Sequence, residues 1–192
     1  MSTMKDIEIG GDGKLVGRDD NSVILSSTTI NHSPSKTKLS VLFDKLKEQS
    51  EKEEQTEEVS DELNYYITDR DVIGLEQKLI DGNLDYLYDD ASELKDAYTR
   101  KLYKYQLYDS AQEIHVFILG IICEKFRNLV YPLIKKGVDQ AVISEIISIK
   151  IVDPIIKTIL EQGCNDIMGL SPRDIDGMIY FLTGRCHIKW KL

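Results

Sequence analysis

Four branched apolar residues, Ile9, Val16, Val23 and Ile30, stand seven apart at the start of this chain. Between them lie Gly10-Gly11-Asp12-Gly13, Gly17-Arg18-Asp19-Asp20-Asn21 and Ser26-Ser27-Thr28-Thr29. Each unit is a short apolar strand followed by residues that tolerate the positive φ of tight turns. A unit this small cannot bury its own apolar face, whereas stacked copies, or copies from several chains, can. An odd period flips every second side chain of a simple strand, so a turn must reset the parity inside each unit. The expectation is a small β-roll or β-prism-like appendage at residues 1–36, stable when several chains associate, with Ile9, Val16, Val23 and Ile30 as self-association residues.

Pro34 ends the repeat. Leu39, Leu42, Phe43 and Leu46 then fall at i, i+3, i+4 and i+7, the stripe of an amphipathic helix. They are assigned to the same self-associating region. Residues 47–62 are acidic, with Val59 as the one sizeable apolar group, and read as a solvated helix extension or a linker. Residues 37–62 therefore form a connector, and the domain boundary is expected at its end.

From Leu63 onward the apolar spacing is helical. Val72, Leu75 and Leu79 make one short stripe stopped by Gly82, and Asn83 is positioned to cap the next helix. That helix carries Leu84, Leu87, Ala91, Leu94, Tyr98, Leu102 and Tyr105. Ser110 and Glu113 have capping-box spacing ahead of Ala111, Ile114, Ile118, Ile122, Phe126, Leu129 and Leu133. Pro132 should kink or close that helix. The isoleucine-rich stretch 138–160 reads as helix on spacing and length, despite its β-branched residues, with Pro154 bending or splitting it. Ser171-Pro172-Arg173-Asp174 combines a capping side chain, a first-turn proline and an acid at the positive helix end. The expected fold is mainly α: an all-α domain of about five to six helices at 63–192 behind the β appendage and the connector.

Composition excludes several function classes. The net charge is −9, and the connector at 37–62, with four basic against nine acidic groups, carries −5 of it. Nothing matches the basic excess of a protein that neutralises phosphates, so direct nucleic-acid contact is not expected. The longest apolar run, Val116 to Cys123, falls far short of the roughly twenty residues that span a bilayer. A soluble, cytoplasmic protein with no membrane contact is expected, its three cysteines reduced. No two of His32, His115, His187 and the cysteines have paired-ligand spacing, and Cys186 and His187 project apart as neighbours, so neither metal nor cofactor is expected. The glycines at 10–13 precede a strand and lack the lysine of a phosphate loop. Six of ten tyrosines fall between Tyr86 and Tyr108. Tyr86, Tyr88, Tyr103 and Tyr108 lie off the helical stripe and are candidates for a partner interface, where tyrosine is favoured.

Residues 63–79 (LNYYITDRDVIGLEQKL) carry a resemblance, as do Tyr105-Gln106 with Ala111-Gln112-Glu113-Ile114, Tyr131-Pro132-Leu133-Ile134, and the ending at 177–190 (GMIYFLTGRCHIKW). Together they resemble the helical C-terminal domains of bacterial ABC-ATPase three-component conflict systems, to which Lamassu-type anti-phage defence is related. The likeness covers about residues 60–192. It implies an adaptor that couples a variable N-terminal region to an ABC ATPase and a middle component. Within these motifs Arg70, Arg185 and Trp190 join the candidate partner interface. In such systems an effector enzyme usually occupies the N-terminus. Here the N-terminal GDGxxVGxxN pattern is similar to short segments found ahead of bacterial signalling and defence modules. The expected function is thus a non-enzymatic, self-associating adaptor or scaffold of an anti-phage system. The alternatives are a helical effector, membrane-acting or a cryptic hydrolase, through 116–123 and 141–160, and a nucleic-acid sensor.

Overall fold

The computed structural model describes residues 36–70 and 73–192, and among these the secondary structure is helical with no strand. The repeat at Ile9, Val16, Val23 and Ile30, with the β appendage expected there, lies outside the described residues, as does Val72. Helix α1 (Lys38–Lys52) starts at Thr37, whose hydroxyl accepts the Ser40 N–H. Helices α2 (Asp61–Ile67) and α3 (Leu75–Asp81) are short, and a 3-10 turn (Asp85–Leu87) leads into α4 (Tyr88–Tyr105). Helix α5 (Asp109–Lys125) runs through a π turn (Phe126–Val130) into α6 (Tyr131–Lys135). Helix α7 (Gln140–Ile147) runs likewise through a π turn (Ser148–Val152) into α8 (Asp153–Gln162), and α9 (Pro172–Gly184) closes the fold.

Both π turns stand directly before a proline, Pro132 and Pro154, in the first turn of the helix that follows. A proline lacks the N–H that an α-helix uses, and its ring clashes with the carbonyl four residues back. The chain answers with one wider turn: the Tyr131 N–H bonds Phe126 O and the Asp153 N–H bonds Ser148 O, each five residues back. Residues 140–162 are therefore one continuous helical run with a π turn, neither ended nor split. The wider turn also moves the buried stripe. Val130 is fully buried while Leu129, expected on the stripe, is 37% exposed.

The core is built around α4 and α9, which cross closely because Gly177 has no side chain. A Cβ there would sit 2.5 Å from Leu94 O and 2.8 Å from Tyr98 Cβ. The start of α9 is as expected: Asp174 Oδ2 accepts both the Ser171 N–H at 2.9 Å and the Ser171 hydroxyl at 2.6 Å. Asp174 Oδ1 also pairs with Lys101 at 2.9 Å, tying the helix start to α4.

Several local expectations are corrected. The domain boundary is not at residue 62; the compact helical unit runs from Lys36 to Leu192. Helix α1 packs on α5, and Leu39, Leu42, Phe43 and Leu46 are buried in that core, so they are not a free self-association surface. The acidic connector is tethered: the Thr56 N–H donates to Leu107 O at 2.7 Å and the Ser60 N–H to Gln112 Oε1 at 2.8 Å. Ser110 and Glu113 form no capping box. Ser110 is buried inside the first turn of α5, where its hydroxyl and N–H both donate to Gln49 Oε1 of α1. A side chain from a neighbouring helix thus serves the α5 start in place of a local cap. Asn83 caps nothing; it takes φ 56° to stop α3.

Candidate functional site

The last residues, Arg185 to Leu192, fold back over α2, the end of α3, the first π turn and Tyr131 of α6. Trp190 pins them. Its indole N–H donates to Thr183 Oγ1 at 3.1 Å, and its ring meets Phe126 edge-on with centroids 5.0 Å apart. Gly82 lets it in, since a Cβ at that position would stand 2.5 Å from Trp190 Cβ. The end of α9, from which the tail leaves, is held by Lys78, whose ammonium donates to the Thr183 and Gly184 carbonyls at 2.9 Å each and so caps the helix. Trp190 is 7% exposed, and it serves as a wall rather than the exposed contact expected of it.

Two concavities meet at that wall. One is a cleft of about 320 Å³ lined by Arg70, Lys78, Lys189 and Lys191, with Asp81, Ile73 and Cys186. On its flank the Arg70 guanidinium lies 3.9 Å over the Tyr65 ring, and Arg185 pairs with Asp69. The other is a pocket of about 300 Å³ where the start of α4, the second π turn and α9 converge. Its walls are apolar (Leu84, Leu94, Ile147, Ile179) and its rim carries Ser144, Ser148, Asp153, Asp176 and Tyr180. Burial raises the Asp176 carboxyl above the usual carboxylate range and, with nearby acidic groups, pushes the Tyr180 phenol up to about 12. Pockets of this size with apolar walls and a few polar groups suit a partner's anchoring side chain.

The structure brings together three of the residues singled out from sequence, Arg70, Arg185 and Trp190, around the tail. It does not bring the tyrosines there as a group. Tyr86 is 69% exposed on the 3-10 turn and Tyr103 is 48% exposed on α4, while Tyr88 is half-buried. Tyr108 is not a surface residue: it is 9% exposed and accepts a hydrogen bond from Gln55 Nε2. Cys186 and His187 do diverge. Cys186, at φ 64°, faces the cationic cleft, and the His187 ring packs 5.1 and 5.2 Å from Tyr65 and Tyr66. Partial burial, then the Arg70 charge, lowers the His187 pKa. Burial pushes the Cys123 thiol up to about 11, which leaves it a poor nucleophile near neutral pH. Sequence reasoning missed Lys78, Lys189 and Lys191. The last two were detectable: they flank Trp190, so burying the indole turns both ammoniums outward.

A further polar cluster is sealed in the core. Tyr98 Oη and His115 Nδ1 share a hydrogen bond of 3.2 Å, and both residues are fully buried. Desolvation, reinforced by the Lys101 charge, holds the His115 pKa down to about 4, so the ring is neutral at pH 7. Among the described residues no three His, Cys, Asp or Glu side chains converge as metal ligands, and no helix is long and apolar enough to cross a membrane.

No curated protein and no solved structure matches the chain. A family model does match: C-terminal domain 9 of the ABC-three component (ABC-3C) systems, over residues 74–190. That stretch begins at the cap of α3 and ends on Trp190, the residue that walls both concavities. By that match over most of its length, the chain belongs to the C-terminal domain 9 family of the ABC-three component systems.

Proposed function

We propose that the chain is a non-enzymatic adaptor of its ABC three-component system, placed in the cytoplasm and serving anti-phage defence. In this reading the N-terminal repeat gathers copies, and the helical unit docks on the system's ATPase. The observation that carries it is the family assignment over residues 74–190, since membership in a system of several components is consistent with partner proteins. The apolar pocket beside Trp190 supports it, since it lies wholly within the matched residues and has the shape of an anchor site. Gathered copies would bind a multivalent partner with avidity through raised effective concentration.

The test is co-expression with the ATPase and the middle component of the same system, followed by affinity capture on this chain. Capture of the ATPase is expected. A pocket-filling variant, Ser144→Trp with Ser148→Trp, sits on the exposed rim and should abolish capture while the circular dichroism of the chain stays unchanged. Equal capture by the filled variant would remove the pocket from the reading. Toxicity or liposome leakage from this chain alone would replace the adaptor with a direct effector. Light scattering on the full chain and on residues 37–192 tests the repeat, with loss of self-association expected on truncation.

A further inference from the structure

The two ends of α5 carry opposite charge. Near its N-terminus lies the acidic stretch 51–62, which holds Glu51, Glu53, Glu54, Glu57, Glu58, Asp61 and Glu62 against the single base Lys52, all of them exposed. It is not a loose tail at that point: the Thr56 and Ser60 N–H groups bind Leu107 O and the Gln112 side chain, and Gln112 Nε2 donates to Glu58 O at 3.2 Å. Lys52 is already paired with Glu48. The carboxylates at 51–58 therefore form a ridge held in a fixed place.

Near the C-terminus of α5 lies the cationic cleft. Helix α2 runs alongside α5 from Ser60, at the level of Gln112, to Tyr66, whose hydroxyl lies close to Gly120. Beyond it, Arg70 lies over the Tyr65 ring of α2, and Trp190, the wall of the cleft, packs on Phe126, the residue that follows α5. From Gln112 to Lys125 helix α5 rises about 20 Å. Ridge and cleft within one molecule are therefore more than one Debye length apart at about 0.1 M salt. Salt screens most of the attraction between them within one copy. The dipole of α5 does not account for the arrangement, because it acts only within the first and last turn, where Asp109 and Lys125 already serve it.

We propose that the cationic cleft is a docking site for the acidic ridge of a second copy of this chain. The contact is heterologous, the ridge of one copy on the cleft of the next, and so extends head to tail until a ring closes or a filament forms. The ridge supplies carboxylates spaced along an ordered backbone, and the cleft offers Lys189 and Lys191 on either side of a fixed indole. In a chain of net charge −9, long-range repulsion between copies is relieved where this face meets that ridge. The contact adds to any made by the N-terminal repeat and involves neither that repeat nor the apolar pocket.

The test uses the full chain and two charge-reversed variants, Lys189→Glu with Lys191→Glu in the cleft and Glu54→Lys with Glu57→Lys on the ridge. Light scattering should show a larger mass at about 0.1 M salt than at about 1 M, where the Debye length falls from about 10 Å to about 3 Å. Each variant alone should show the high-salt mass at both salt concentrations. Mixed in equal amounts they should regain the low-salt mass, because the reversed cleft of one now complements the reversed ridge of the other. The repeat and the pocket are intact in every sample, so failure here leaves the adaptor reading standing, and failure of ATPase capture leaves this one standing. A mass that ignores salt, or variants that each associate like the parent, would overturn the proposal. Loss in both variants without recovery on mixing would overturn it too, and would point to an acidic segment of another protein.

Discussion

The α4–α9 pair and the two proline-bearing helical runs solve the same packing problem in different ways. Where α4 meets α9, the period is ideal and the close approach is made by omission, with Gly177 leaving room for Leu94 and Tyr98. In the α5–α6 and α7–α8 runs the period is broken, and one wide turn ahead of Pro132 and Pro154 rotates everything beyond it. The first arrangement keeps the side chains on the stripe that their spacing indicates. The second shifts it by one residue, from Leu129 to Val130. A proline inside an apolar helix is thus better read as a change of phase than as a stop, provided that the helix beyond it is buried.

The largest effect should come from filling the space at the ideal crossing. Gly177→Val should destabilise the unit by upwards of about 3 kcal/mol in urea unfolding, since the helices must separate and the neighbouring atoms include backbone. An unchanged midpoint would mean that the crossing is not tight. The same region holds a pH-sensitive element. His115 is neutral in the fold with its pKa at about 4, against about 6.5 when unfolded. Its contribution is complete above pH 6.5 and is lost as pH falls to 4, because the unfolded chain takes up the proton first. That amounts to up to about 3 kcal/mol. His115→Gln should flatten the stability profile between those values relative to the parent, and parallel profiles would show that another group carries the acid sensitivity.

The phase change is tested by a neighbouring pair. Val130→Ala should lower stability by about 1–2 kcal/mol, as two buried methyl groups are removed, whereas Leu129→Ala should change it by less than about 0.5 kcal/mol. The reverse order in chemical denaturation would restore an unbroken stripe. The smallest loss from a contact made in the fold is expected at the start of α9. Ser171→Ala should remove about 1 kcal/mol by taking one partner from Asp174; Ser171→Asn, whose amide can donate, should recover part of it, and Ser171→Asp, an acceptor only, should not.

How much of the fold was legible depends on how local its cause is. The Ser171–Asp174 start, the Ala91–Tyr98–Leu102–Tyr105 stripe and the Gly82 stop each arise within a few residues of chain, and each was read from those residues. The start of α5 was misread because its capping group, Gln49, is far away in sequence. The interface candidates divided in the same way. Tyr86 and Tyr103 are exposed as expected, whereas Tyr108 and Trp190 are buried by segments that fold over them. The cationic cleft was not anticipated at all, since Arg70, Lys78, Lys189 and Lys191 come from three separate parts of the chain.

By itself, then, the sequence determined the helical class, most helix positions and the family to which residues 74–190 belong, because period, caps and motifs are carried by neighbouring residues. Only the tertiary structure decided where the unit begins, which apolar residues face inward beyond each proline, and how charge is distributed between the two ends of α5. Those outcomes depend on which distant groups a segment meets. A side chain of given character becomes core, wall or open surface only when the rest of the chain has covered it or left it uncovered.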